Sequence, residues 1–125
     1  NDCGGGSLLK LYKENPLVNV MIPTASGDNA VAIGGNNIGF GLNAPVASGV
    51  NSIAFGVGTT SSGVGSNSWG VGATSTATLS TAFGYLSTAS GDFSFAGGNK
   101  STATGTGAFS FGNEIHFKRG IEDFK

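Results

Sequence analysis

From Gly27 to Gly112 the chain alternates two kinds of half-repeat. In one, a large apolar residue precedes a glycine: Phe55 and Gly56, Trp69 and Gly70, Phe83 and Gly84, Phe111 and Gly112. In the other, a hydroxyl residue takes that place: Ser62, Thr76, Ser90 and Thr104. The full period is therefore fourteen residues. Gly97 breaks the apolar column, but Phe95 two residues earlier keeps that half apolar. Within each half the residues alternate, and a period of two marks a strand whose side chains point to opposite faces. A helix is excluded by glycine at every seventh place and by the many β-branched hydroxyl residues.

One face is made of small residues throughout. Two places before each glycine stand Ala47, Ala54, Ser61, Ser68, Ser75, Ala82, Ala89, Ala96, Ala103 and Ser110. Four places before stand Pro45, Ser52, Thr59, Ser66, Ala73, Ser80, Ser87, Ser94, Ser101 and Ala108. This set is expected inside, between two nearly touching sheets. Two short strands and two turns per period make one coil of an all-β solenoid, with coils stacked about 4.8 Å apart. About six such coils would form a rod roughly 30 Å long.

The opposite face splits in two. Ile53, Phe55, Trp69, Phe83, Phe95, Phe109 and Phe111 form an apolar column, and Thr60, Ser62, Thr74, Thr76, Thr88, Ser90, Thr102 and Thr104 a hydroxyl column. A contiguous apolar stripe of this size is rare on a soluble monomer. The aromatics either fill a wider monomer core or meet other chains in a closed symmetric oligomer, and the thinness of the roll favours the oligomer. Turn residues Asp92, Asn99 and Lys100 are candidate receptor contacts. Asp92 follows Gly91, where a local hydrogen bond to the turn backbone is expected.

Glycine fills twelve of thirteen slots spaced by seven: 27, 34 and 41, then, after one extra residue, 49 to 112, with Ala77 in the remaining slot. The glycines are expected at bends and close backbone approaches. The register is weakest before Gly49, because Val31 and Ile33 and then Ile38 and Phe40 are apolar in consecutive half-repeats.

Residues 26–112 are thus the repeat domain. Residues 1–25 form an N-terminal flank, with Leu17 to Ile22 as a strand that could cap the array. Residues 113–125 gather charge around Ile115, Phe117, Ile121 and Phe124, as a cap, connector or docking tail.

Composition removes several functions. The net charge is −1, and between Asn29 and Asn113 only Asp92 and Lys100 are charged, so there is no electrostatic footprint for nucleic acid. No apolar run is long enough for a membrane span. The single Cys3 cannot form an internal disulfide. Its setting, NDCGGGS, is similar to a mature lipoprotein start, but Asp2 is poor before a lipidation site, and a free or intermolecular thiol is expected. The chain begins without Met and shows no signal peptide, as expected of a mature or excised piece. One histidine, His116, no Cys/His cluster and no phosphate loop argue against an enzyme, a metal or a cofactor.

The segments Asn51 to Gly56 and Ser80 to Gly84, alternating with Thr88 to Gly91 and Thr102 to Gly105, resemble the head repeats of trimeric autotransporter adhesins, the YadA-like heads. The resemblance covers Gly27 to Gly112. It implies a left-handed parallel β-roll, a homotrimer, and attachment to a surface glycan or protein receptor outside a bacterial cell. Similar rolls occur in phage fibres, so a virion fibre or spike whose flanks dock to other virion proteins is the alternative. Phe and Trp stand where those heads often carry Ile. No neck, heptad stalk or membrane anchor follows Gly112. The regular hydroxyl ladder also admits an ice-binding face, although Thr and Ser are simply good solvent-facing strand residues.

Overall fold

The structure, a computed structural model, describes residues 23–35 and 44–117. The N-terminal cap strand, Cys3, Ile38, Phe40, Ile121 and Phe124 lie outside the described residues.

Among the described residues, thirteen strands alternate between two lengths. The two-residue strands are Thr24–Ala25 (β1), Val46–Ala47 (β3), Thr60–Ser61 (β5), Thr74–Ser75 (β7), Thr88–Ala89 (β9), Thr102–Ala103 (β11) and His116–Phe117 (β13). The five-residue strands are Val31–Gly35 (β2), Ile53–Val57 (β4), Asn67–Val71 (β6), Thr81–Tyr85 (β8), Phe95–Asn99 (β10) and Phe109–Asn113 (β12). Each set forms its own parallel sheet, in the order β1-β3-β5-β7-β9-β11-β13 and β2-β4-β6-β8-β10-β12. One long strand, one short strand and two turns make each coil. From β4 onward, long-strand partners stand fourteen residues apart, as Ile53 with Asn67 and Phe95 with Phe109. The architecture is an all-β parallel β-solenoid.

The small residues meet between the sheets. Ala54, Ser68, Ala82, Ala96 and Ser110 from the long strands face Ala47, Ser61, Ser75, Ala89 and Ala103 from the short ones, all at most 1% exposed. A core this thin buries little apolar area, so order rests on backbone pairing, each hydrogen bond contributing about 1 kcal/mol net. Even the turns take part: the amides of Gly65, Leu79, Phe93 and Gly107 donate to Val50, Val64, Thr78 and Asp92 one coil back, at 2.8–2.9 Å.

The core changes chemistry along its length. In the second half the residues two places before Gly84, Gly91, Gly98 and Gly105 are Ala82, Ala89, Ala96 and Ala103, beside the buried Ser80, Ser87, Ser94 and Ser101. In the first half Ser61 Oγ donates to Ser68 Oγ at 2.8 Å, and Ser68 and Ser75 share a 2.6 Å bond. Ser61 and Ser75 also donate to the carbonyls of Ile53 and Asn67 at 2.6 and 2.8 Å. Ser68→Ala removes the middle of this chain and takes from the Thr60 carbonyl the hydroxyl that donates to it at 2.5 Å. It is expected to destabilise the fold by about 1–2 kcal/mol, read from denaturant unfolding.

The two glycine classes differ. Glycines before the short-to-long turn, such as Gly63 and Gly91, sit at a bend, where a Cβ would meet the next coil's carbonyl oxygen at 2.1–2.2 Å. The others are not at bends. Gly56, Gly70, Gly84 and Gly98 lie inside the long strands at φ of +106° to +127°, stacked so that a Cβ would meet the next glycine's oxygen at 2.0–2.3 Å. Ala77 takes one bend slot, where the Ser80 hydroxyl donates to its carbonyl oxygen at 2.8 Å.

The register before Gly49 differs from the sevenfold spacing. Thr24 pairs with Val46 and Val31 with Ile53, both 22 residues apart. Gly27 therefore stacks on Gly49 and Gly34 on Gly56. The first coil is thus eight residues longer than the later ones, in place of the one-residue slip read from spacing, and Gly41 lies outside the described residues. The roll also extends past both sequence-drawn boundaries, from β1 at Thr24 to β13 at Phe117, so His116 belongs to the last short strand and not to a tail.

Both turn columns place their third residue at positive φ. At the short-to-long edge these are Asn51, Gly65, Leu79, Phe93 and Gly107; at the long-to-short edge, Gly58, Gly72, Leu86, Lys100 and Glu114. Each short-to-long turn is closed by a bond such as Ser80 N to Ala77 O, 3.2 Å, and positive φ at the third residue of such a turn normally calls for Gly or Asn. A branched or aromatic residue there costs about 1–2 kcal/mol. Leu86→Asn keeps the turn and relieves that strain, so it is expected to raise stability by roughly 0.5–1 kcal/mol, measurable as a rise in Tm.

Candidate functional site

The outer face of the long-strand sheet is the candidate site. The first and third residues of each long strand point away from the core. Phe55, Trp69, Phe109 and Phe111 are 47–60% exposed. Ile53, Phe83 and Phe95 are half-buried. All seven sequence-selected residues stand on this one face, since β4, β6, β8, β10 and β12 are adjacent and in register.

The rings shelter one another rather than the core. Phe95 stacks on Phe109 at 4.8 Å with the planes 5° apart. Phe83 meets Phe95 edge-on at 5.1 Å and Phe111 at 6.3 Å. Phe55 and Trp69 stand 6.0 Å apart at the other end. Gly97 lies beneath the Phe83 and Phe111 rings, where a Cβ would come within 2.9 Å of Phe111 Cδ1 and 3.3 Å of Phe83 Cζ. The break in the aromatic column is thus covered by its neighbours. Asn67 and Thr81 interrupt the inner column and leave a hollow of about 380 Å³ walled by Trp69 and Phe83.

The hydroxyl column lies on the short-strand sheet. Thr60, Thr74, Thr88 and Thr102 are in register and half-buried, and Ser62, Thr76, Ser90 and Thr104 are exposed beside them. The column begins at Thr24, is interrupted by Val46 and ends at His116.

The three candidate receptor contacts do not form one site. Asp92 stands in a short-to-long turn, whereas Asn99 ends β10 and Lys100 follows it in the long-to-short turn, on opposite edges of the roll. Asp92 Oδ1 accepts from Thr78 N of the preceding coil at 3.2 Å, so its bond ties two coils together instead of its own turn. Asn99 Nδ2 donates to Asn113 Oδ1 at 2.7 Å, continuing the ladder with side chains.

Sequence reasoning passed over a second apolar surface. Val50, Val64, Leu79 and Phe93 project from four successive short-to-long turns at 41–60% exposure. Their signal was present: an apolar residue recurs one or two places after each bend slot at 49, 63, 77 and 91.

Among the described residues no three of His, Cys, Asp and Glu gather where they could hold a metal ion, and no helix is long and apolar enough to cross a membrane. No curated protein matches the chain. The family model of the YadA head domain repeat matches in two copies, over residues 24–37, 47–66 and 75–101. These segments carry strands of both sheets and the first coil as well as the later ones. YadA head domains form trimers in general and belong to an adhesin-type structural family. With its fourteen-residue coils, small-residue core and matching repeats, the array of this chain is a YadA-like head, an adhesin-type module.

Proposed function

We propose that this chain is a non-enzymatic attachment module that works as a parallel homotrimer outside the cell. The aromatic face carries the proposal: Phe55, Trp69, Phe109 and Phe111 stay about half exposed in the single chain although they sit side by side. Burying such side chains contributes roughly 1.5–3 kcal/mol each. Three copies supply that burial to one another, and the trimer then shows the remaining surface three times. Weak contacts with a surface glycan or protein gain avidity by about 10²–10⁴ from such multiplicity. The uncharged hydroxyl sheet, from Thr60 to Thr104, is the broad polar surface left to meet a receptor.

The test is retention on immobilised glycans and on host-surface proteins, comparing the native chain with Phe83→Asp. The native chain is expected to be held, and the variant to be washed off at equal concentration. Equal retention of both, or retention of neither on any glycan or protein surface, contradicts the reading.

A further inference from the structure

We infer that the short-to-long turn edge, carrying Val50, Val64, Leu79 and Phe93, is the second half of the chain-to-chain contact and seats against the aromatic face of the neighbouring chain. The inference rests on the trimer proposed above and names its contact surfaces. A three-fold ring needs heterologous contacts, in which one patch of each chain meets a different patch of the next. The aromatic face is one patch, and three features single out this edge as the other.

The first is position. The edge runs directly into the aromatic face, because each of its turns leads into a long strand: Val50 into Ile53 and Phe55, Leu79 into Phe83, Phe93 into Phe95. Both patches therefore have the same pitch and lie on the same coils, and a rotation without translation brings them to equal height. The second is chemistry. The opposite edge carries Lys100 and Glu114, both exposed, among Tyr85, Leu86 and Ile115, whereas this edge presents an apolar residue in each of four successive turns, with Asp28 one coil before Val50 and Asp92 held by the Thr78 amide. The third is strain. Leu79 and Phe93 stand at φ of 54° and 60°, in positions that other coils fill with Asn51, Gly65 and Gly107; the opposite edge holds one apolar residue, Leu86, in such a conformation. Phe93 is 60% exposed, so the roll itself gains little from a ring at a conformation that resists it. Contact with another chain supplies the missing burial.

The test uses the full chain with Cys3→Ser as background. Leu79→Cys and Phe83→Cys are made separately and then co-expressed. Mild oxidation of the co-expressed sample is expected to give disulfide-linked dimers containing one chain of each kind, and Leu79→Cys alone is expected to give none. Leu79→Asp with Phe93→Asp is expected to raise the concentration at which the trimer dissociates at least tenfold, with circular dichroism unchanged, and Leu86→Asp on the opposite edge to leave it unchanged. A trimer that gives no mixed dimer and tolerates both edge aspartates overturns this inference alone, leaving the edge to a receptor or to solvent. A native chain that is monomeric overturns the trimer itself.

Discussion

Gly84→Ala is expected to cost about 3 kcal/mol or more, a large loss for the addition of a single methyl group. Gly84 sits inside β8 at φ +109°, where an L-residue is strained whatever space surrounds it. The added Cβ would also lie 2.1 Å from the Gly98 carbonyl oxygen. Relief requires the two coils to part, and that breaks strand pairing on both sides of the site. A loss of this size lowers Tm by more than about 10 °C for a domain of this length. Gly35→Ala is the matched control, because no atom of the described residues stands within 4 Å of its added Cβ and its φ is ordinary. It is expected to change stability by no more than about 0.5 kcal/mol. Thermal unfolding of both variants checks the pair. Equal stabilities would mean that the glycine column is not a close-packing device.

Phe83→Asp combined with Phe95→Asp is expected to abolish assembly and leave the coil intact. Phe83 is the hub of the ring cluster, touching Phe95 and Phe111, and Phe95 stacks on Phe109. None of these rings lies between the sheets, where every buried side chain is small. Removing both from each of three chains forfeits roughly 1.5–3 kcal/mol per ring and places carboxylates in an apolar contact. Sedimentation at micromolar concentration is expected to show monomers, and circular dichroism to show native strand content. Loss of strand content would place the rings in the monomer's own core instead.

The sequence carried the core plainly, because a gap between touching sheets accepts only alanine, serine and similar side chains, and these recur without exception from Ala47 to Ser110. The aromatic face was legible for the same reason: with no room inside, Phe55, Trp69 and Phe83 had to point out. Spacing failed where it was asked for more than position. It could not separate the bend glycine Gly63 from the in-strand glycine Gly70, because that difference lies in φ. It counted one extra residue before Gly49 where the first coil is eight residues longer than the later ones. It tied Asp92 to its own turn, although stacked coils bring Thr78, fourteen residues away, within hydrogen-bond reach. The apolar turn edge was missed because Leu79 and Phe93 contradict the residue preferences of the turns that hold them.

The central claim is that the aromatic face is closed by other copies of the same chain. The most direct measurement is the molar mass of the native chain by light scattering coupled to size exclusion at micromolar concentration. The predicted result is three times the 12.3 kDa chain mass, unchanged on moderate dilution. A stable species of one chain mass, with the rings exposed and the protein still soluble, would contradict it.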